Sequence, residues 1–209
     1  PPLAAQKEVP PAPGTPKDIR VPPRKTITLP NGMRVSFVRY GTIPKVAVSL
    51  DLATGGIDEA ATEVQLASLT AQMLLEGTTT RNASQISREA AEMGGGLQAG
   101  AGDDDVTVGG EVLSEYGEAF VGLLADVVLR PRFAETDVAR LRANMLRDNS
   151  IAQSQPGQIT RVKFREMLFG DHPYGRVWAP ESLLVGYSAE RVAAFWARNA
   201  GARRGHLYI

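Results

Sequence analysis

His172 and His206 are the only histidines in this chain of 209 residues, and there is no cysteine. Imidazole and thiolate are the side chains that most readily hold a transition metal or act as a base near neutral pH, so the stock of such groups is small. His172 stands in Asp-His-Pro-Tyr-Gly with no His, Cys or Glu at ligand spacing, and reads as a hydrogen-bonded loop residue. His206, next to Arg203 and Arg204 on a terminal strand, reads as structural. Asp103, Asp104 and Asp105 could attract a hard cation, but they lack the spaced ligands and glycine of a calcium loop and read as a solvated turn. Gly94 to Ala99 formally fits G-x-G-x-x-A. A dinucleotide fingerprint follows a strand and opens a helix, whereas these glycines stop a helix and let a strand begin. Ser68 as a nucleophile would need a G-x-S-x-G turn or a nearby His, and has neither. Glu115, Glu118 and Asp126 read as the wet face of a helix.

The composition narrows the classes further. Hydrophobic residues make up 43% of the chain, enough for a folded core. Lys plus Arg (23) equal Asp plus Glu (23), so no global field draws the protein to nucleic acid or to an acidic membrane. The absence of cysteine removes disulfides and thiolate sites without deciding the redox compartment. No apolar run approaches the roughly 20 residues a membrane-spanning helix needs.

Residues 1–24 are rich in proline and poor in large apolar side chains, and read as an extended leader of the kind that follows a removed export signal in a bacterial envelope protein. Residues 25–209 read as the folded body. Its last strand, from Arg204, stops in mid-run as if the polypeptide continued. A hairpin is predicted around Pro30-Asn31-Gly32, then an alternating strand over Lys45–Leu52. Leu66 to Thr78 predicts a buried helix stopped at Gly77, with Leu66, Leu69 and Met73 against the sheet. Asp58 and Glu59 precede it, where carboxylates favour the positive end of the helix dipole. A short helix over Gln85–Met93 and a second hairpin of Leu97–Gly102 with Val106–Leu113 follow. Further helices are expected over Ser114–Leu129, Ala134–Ser154, Ile159–Phe169, Pro180–Leu184 and Ser188–Asn199, with Pro156-Gly157 as a break. Grouped strands and helices of this kind predict an α+β fold, an antiparallel sheet with helices packed on one face.

Several stretches resemble the pitrilysin, insulinase and mitochondrial processing peptidase superfamily of inverted zinc peptidases, whose signature is H-x-x-E-H. Leu29-Pro-Asn-Gly-Met-Arg-Val resembles its opening hairpin, and the strand ending in Gly55-Gly56-Ile-Asp-Glu resembles the segment that delivers the metal helix. Met73-Leu-Leu-Glu-Gly-Thr is similar to the end of that helix, Gly94 to Val108 to the hairpin after it, and Phe169-Gly-Asp-His-Pro-Tyr-Gly-Arg to a later loop. The resemblance implies a processing-peptidase-like N-terminal domain. Carried over position by position, the signature falls on Ser68-Leu69-Thr70-Ala71-Gln72, with Ser68 and Gln72 in place of the two histidines and Ala71 in place of the glutamate. A third ligand would align near Arg147-Asp148. A hydroxyl and a carboxamide are poor zinc donors, and alanine cannot take a proton from water.

The resemblance therefore implies a non-catalytic subunit or half of a zinc metallopeptidase. It would carry no metal or other cofactor, with zinc in an active H-x-x-E-H partner or in a missing second domain, and would help to bind a peptide and close the chamber. Val106, Thr107, Val108, Gly109 and Gly110 are the strand edge expected to accept that peptide by backbone pairing. A scaffold subunit unrelated to proteolysis is the alternative, and an active metalloendopeptidase with a rearranged site the third reading. The leader suggests the periplasm or cell envelope, with cytoplasmic and mitochondrial placements left open.

Overall fold

The computed structural model describes Gly14 and residues 21–209. The expected leader therefore lies, apart from Gly14 and residues 21–24, outside the described residues. Among the described residues six strands, β1 (Arg24–Thr28), β2 (Arg34–Val38), β3 (Lys45–Leu52), β4 (Gly96–Ala101), β5 (Val106–Leu113) and β6 (Gly205–Tyr208), form one sheet in the order β1-β2-β6-β3-β5-β4. Around it lie helices α1 (Leu66–Leu74), α2 (Ala83–Glu92), α3 (Gly117–Leu129), α4 (Glu135–Gln153), α5 (Pro156–Phe169), α6 (Glu181–Val185) and α7 (Ala189–Asn199). The architecture is α+β, with every strand pair antiparallel except β2–β6, which is parallel.

Local chemistry explains most boundaries. Gly32 takes φ +90° in the β1–β2 turn, where the Asn31 side chain accepts the Met33 N–H. Asn82 and Gln85 form a reciprocal capping box at the start of α2. Gly94, at φ +79°, ends that helix before β4 starts, so the glycine run acts as a helix stop. The expected break falls just before Pro156, between the end of α4 at Gln153 and the start of α5. The proline occupies the first turn of α5, where its missing N–H costs nothing.

Alternate residues of the central strands divide the sheet into two faces. Val48, Leu50 and Leu52 of β3 and Val106, Val108 and Val112 of β5 are buried with Phe120, Leu123, Leu124 and Val127 of α3. The opposite row, including Ala47, Ser49, Thr107, Gly109 and Glu111, borders an open concavity of roughly 1260 Å³.

Helix α1 lies between two cores. Ala71 and Leu74 belong to the sheet-side cluster, whereas Leu66, Leu69 and Met73 pack with Val138, Leu141 and Met145 of α4 and with Tyr187, Val192 and Phe195. The expectation that those three residues face the sheet is corrected. Seven of the nine residues of α1 are buried, and a helix apolar on nearly every side is covered on both.

Asp126 is a second correction. It is 1% exposed on α3, not part of a wet face, while Glu115 and Glu118 are exposed. Its carboxylate accepts hydrogen bonds from Thr78 and Thr80 hydroxyls and from the Arg81 and Arg130 guanidiniums.

Candidate functional site

The start of α1 has no side-chain cap of its own. Gln65 precedes it at φ +67°, and the Glu59 carboxylate, 8% exposed, accepts the N–H groups of Gln65 at 3.0 Å and Ala67 at 2.7 Å. Glu59 thus satisfies the helix's orphan donors from a distance in sequence. Burial pushes its carboxyl up to about 7; those two N–H groups oppose the rise, Glu63 adds to it, and Arg176 opposes it. Because this value stands above the ordinary 4.5, the contribution to stability is complete below about pH 4.5 and is lost as pH rises through about 7. Glu59→Gln, which cannot ionise, is expected to flatten the fall in melting temperature between about pH 5 and pH 8. Thermal unfolding across that range checks this, and parallel profiles for the two proteins would assign the dependence elsewhere.

One turn further on, Ser68 is half-buried, Ala71 is fully buried and Gln72 is exposed. Ser68 and Gln72 share a helix face, being four residues apart. The long helix α4 approaches α1 through Asn149, whose amide exchanges two hydrogen bonds with Gln65 (2.7 and 3.2 Å). Arg147 and Asp148 are largely exposed and paired with each other at 3.1 Å. Asn149, next to the Arg147-Asp148 pair expected near a third ligand, is an amide.

A cavity of about 390 Å³ adjoins Ser68, bordered by Glu59, Gln65 and Ala67, by Ala101, Gly102 and Asp103 at the end of β4 and just after it, and by Arg161, Arg165 and Arg176. The acidic turn is not merely solvated: Asp103 pairs with Arg165 at 2.7 Å and Asp104 accepts the Tyr174 hydroxyl. These bonds tie the β4–β5 turn to α5 and the loop after it.

The strand edge also moves. β5 is hydrogen-bonded to β3 on one side and β4 on the other, so Val106 to Gly110 have no free backbone edge. Among the described residues the open edge belongs to β4, which pairs there only with β5. Strand order depends on distant pairings and cannot be read from the local pattern of either strand.

The histidines lie apart. His172 Nδ1 accepts the Tyr174 N–H at 3.2 Å within its loop. His206, on β6, meets the Ser36 hydroxyl through Nε2 at 2.8 Å and the Tyr208 hydroxyl through Nδ1 at 3.1 Å. Burial, with Arg34 and Arg24 nearby, lowers its pKa. Ser36 is fully buried, so this pair serves the sheet rather than a substrate.

The Insulinase (Peptidase family M16) profile matches residues 34–179, from β2 through α1 and the cavity to the loop before α6. The chain belongs to the M16 family. An uncharacterised zinc protease of Rickettsia felis is 28% identical over 182 residues, covering 87% of this chain and 44% of its own length. One from Mycobacterium leprae is 33% identical over 149 residues, covering 71% and 34%. The chain thus spans less than half the length of these relatives. Among solved structures, the M16 inactive domain from Pseudomonas fluorescens superposes with a TM-score of 0.82 at 24% identity, covering 89% of this chain and 46% of that one. The periplasmic protease PqqL of Escherichia coli gives 0.78 at 16% identity, covering 93% and 22%. Both share the M16 fold.

The family's zinc does not fit the residues present here. The positions on which the sequence resemblance sets the family's signature hold a hydroxyl, a methyl group and a carboxamide, and Asn149 of α4, paired with Gln65, is another amide. Zinc in a catalytic site takes about three imidazole, thiolate or carboxylate ligands. Among the described residues, no three His, Cys, Asp or Glu side chains come together.

Proposed function

We propose that this chain is the non-catalytic half of a two-part M16 zinc peptidase, holding an extended peptide along β4 and closing a chamber over an active half that carries the zinc. The observation that carries the reading is α1 itself. The helix is capped by Glu59 and packed on both sides, and the sequence resemblance sets the family's ligands and base on its Ser68, Gln72 and Ala71, none of which can serve.

The β4 edge supports the peptide-holding role. Its sequence, Gly-Leu-Gln-Ala-Gly-Ala, offers small side chains, and a Cβ at Gly96 or Gly100 would meet nothing within 4 Å. An added strand finds room and unpaired backbone groups there. We place the complex in the bacterial envelope, in keeping with the proline-rich residues 1–24. The active partner is an H-x-x-E-H chain of the same family, encoded nearby, or a second domain of the same polypeptide.

Association is the first test. Co-expressed with such a partner, the chain is expected to elute as a stable one-to-one complex. Partition into an assembly without a peptidase would favour the scaffold reading and overturn this one.

A further inference from the structure

We propose that the cavity beside Ser68 is a receptor for a peptide carboxylate, either a chain terminus or an acidic side chain, with Arg161 and Arg176 as its binding groups; this rests on the reading of β4 as a peptide-holding edge. Three guanidinium groups border the cavity, and they are not equally committed. Arg165 is occupied by Asp103 and by the Tyr174 carbonyl oxygen at 2.8 Å. Arg161 makes no hydrogen bond or ion pair among the described residues and is exposed. Arg176 spends one Nη1 donor on the Glu59 carbonyl oxygen at 3.3 Å, but its Nε is buried with no hydrogen-bond partner.

The buried Nε leaves this guanidinium under-satisfied, and because Nε itself is closed to solvent, an oxyanion in the cavity meets Arg176 through its terminal nitrogens, of which only one donor is spent, on Glu59. The carboxylates at the rim do not fill this role. Asp103 is turned to Arg165, and Glu59 directs both of its oxygens to the start of α1. Guanidinium favours planar oxyanions, which it meets with two parallel bonds. Phosphate would satisfy the same donors, but the location selects the carboxylate. The cavity wall includes Ala101 and Gly102, where β4 ends, so a peptide paired along that edge brings its terminus or a side chain to Arg161 and Arg176. Positive charge at this end of α1 is thus supplied by side chains, in a chain whose metal positions are neutral.

Fluorescence anisotropy with labelled alanine- and threonine-rich peptides of about nine residues tests this. One peptide ends in a free carboxylate and one in an amide; an amidated set carries a single Glu walked along the sequence, and its control carries Gln. The wild-type chain is expected to bind the terminal acid, or one Glu peptide, about tenfold more tightly than its neutral counterpart. Arg161→Gln, at an exposed position, is expected to remove most of that difference and leave the neutral peptides unchanged. Advantage for the terminal acid alone identifies a chain terminus as the source, and advantage for one Glu peptide identifies a side chain. Equal binding of acidic and neutral peptides would overturn the carboxylate site and leave strand pairing at β4 standing. No binding of any peptide would overturn both.

Discussion

Asp126→Ala is expected to destabilise the fold by about 3–5 kcal/mol, a large part of the stability of a domain this size. Asp126 joins α3 to the segment that leaves α1, through Thr78 at 2.8 Å, Thr80 at 3.0 Å and Arg81 at 2.8 Å, and also holds Arg130 at the end of its own helix at 2.7 Å. Alanine would leave the Arg81 charge half-compensated by Glu89 and the Thr78 hydroxyl buried without its acceptor. Burial by itself raises the Asp126 carboxyl, but the bonds from Thr78, Arg81, Thr80 and Arg130 outweigh it and hold the value at about 2. The folded value lies below the ordinary 3.8, so the stabilisation is present above about pH 4 and is lost as pH falls through about 2. That linkage alone amounts to roughly 2–3 kcal/mol. Urea unfolding at pH 7 and pH 3 measures both effects. Asp126→Asn, which keeps the shape and removes the charge, should show most of the loss at pH 7 and a flatter acid limb. A loss below about 1 kcal/mol for alanine would place the strength of this junction elsewhere.

Restoring the family's metal residues is expected to fail unless α4 changes as well. Ser68→His, Ala71→Glu and Gln72→His together supply two imidazoles, but Asn149 of α4, beside the start of α1, remains an amide paired with Gln65. Adding Asn149→Glu is expected to tighten zinc binding by at least about a hundredfold over the triple variant, because it supplies the third ligand. Both variants should be less stable than the wild type. Ala71 is fully buried against the sheet-side core, and a carboxylate introduced there costs several kcal/mol when unpaired. Competition with a fluorescent zinc chelator gives the affinities. Tight stoichiometric zinc in the triple variant would show that a ligand other than residue 149 completes the site.

Much of the fold was legible because its signals are local. The alternation in Lys45–Leu52 and Val106–Leu113 delimits β3 and β5 at the residues observed, and the glycines after α2 mark where it stops. The neutral residues at 68, 71 and 72 were equally plain. What escaped depends on partners far away in sequence. β6 enters between β2 and β3, pairing residues 34–36 with 206–208, and nothing near either segment announces it. The pairing of β5 with β3, more than fifty residues earlier, leaves β5 internal and gives the open edge to β4. Asp126 looked polar and exposed because Thr78 and Arg81, more than forty residues earlier, are what bury it. On α4 the neighbours Asp148 and Asn149 point in different directions, since one residue turns a side chain by about 100° around a helix, and the linear sequence alone does not say which of them meets Gln65.

The most direct measurement is a chelator-controlled peptidase assay on the purified chain, alone and mixed with an H-x-x-E-H M16 partner, with zinc quantified in each sample. The chain alone should carry no stoichiometric zinc and cleave nothing. The mixture should cleave peptides, faster than the partner alone, and lose that activity with chelator. Chelator-sensitive cleavage by the chain alone, with one bound zinc, would contradict the account.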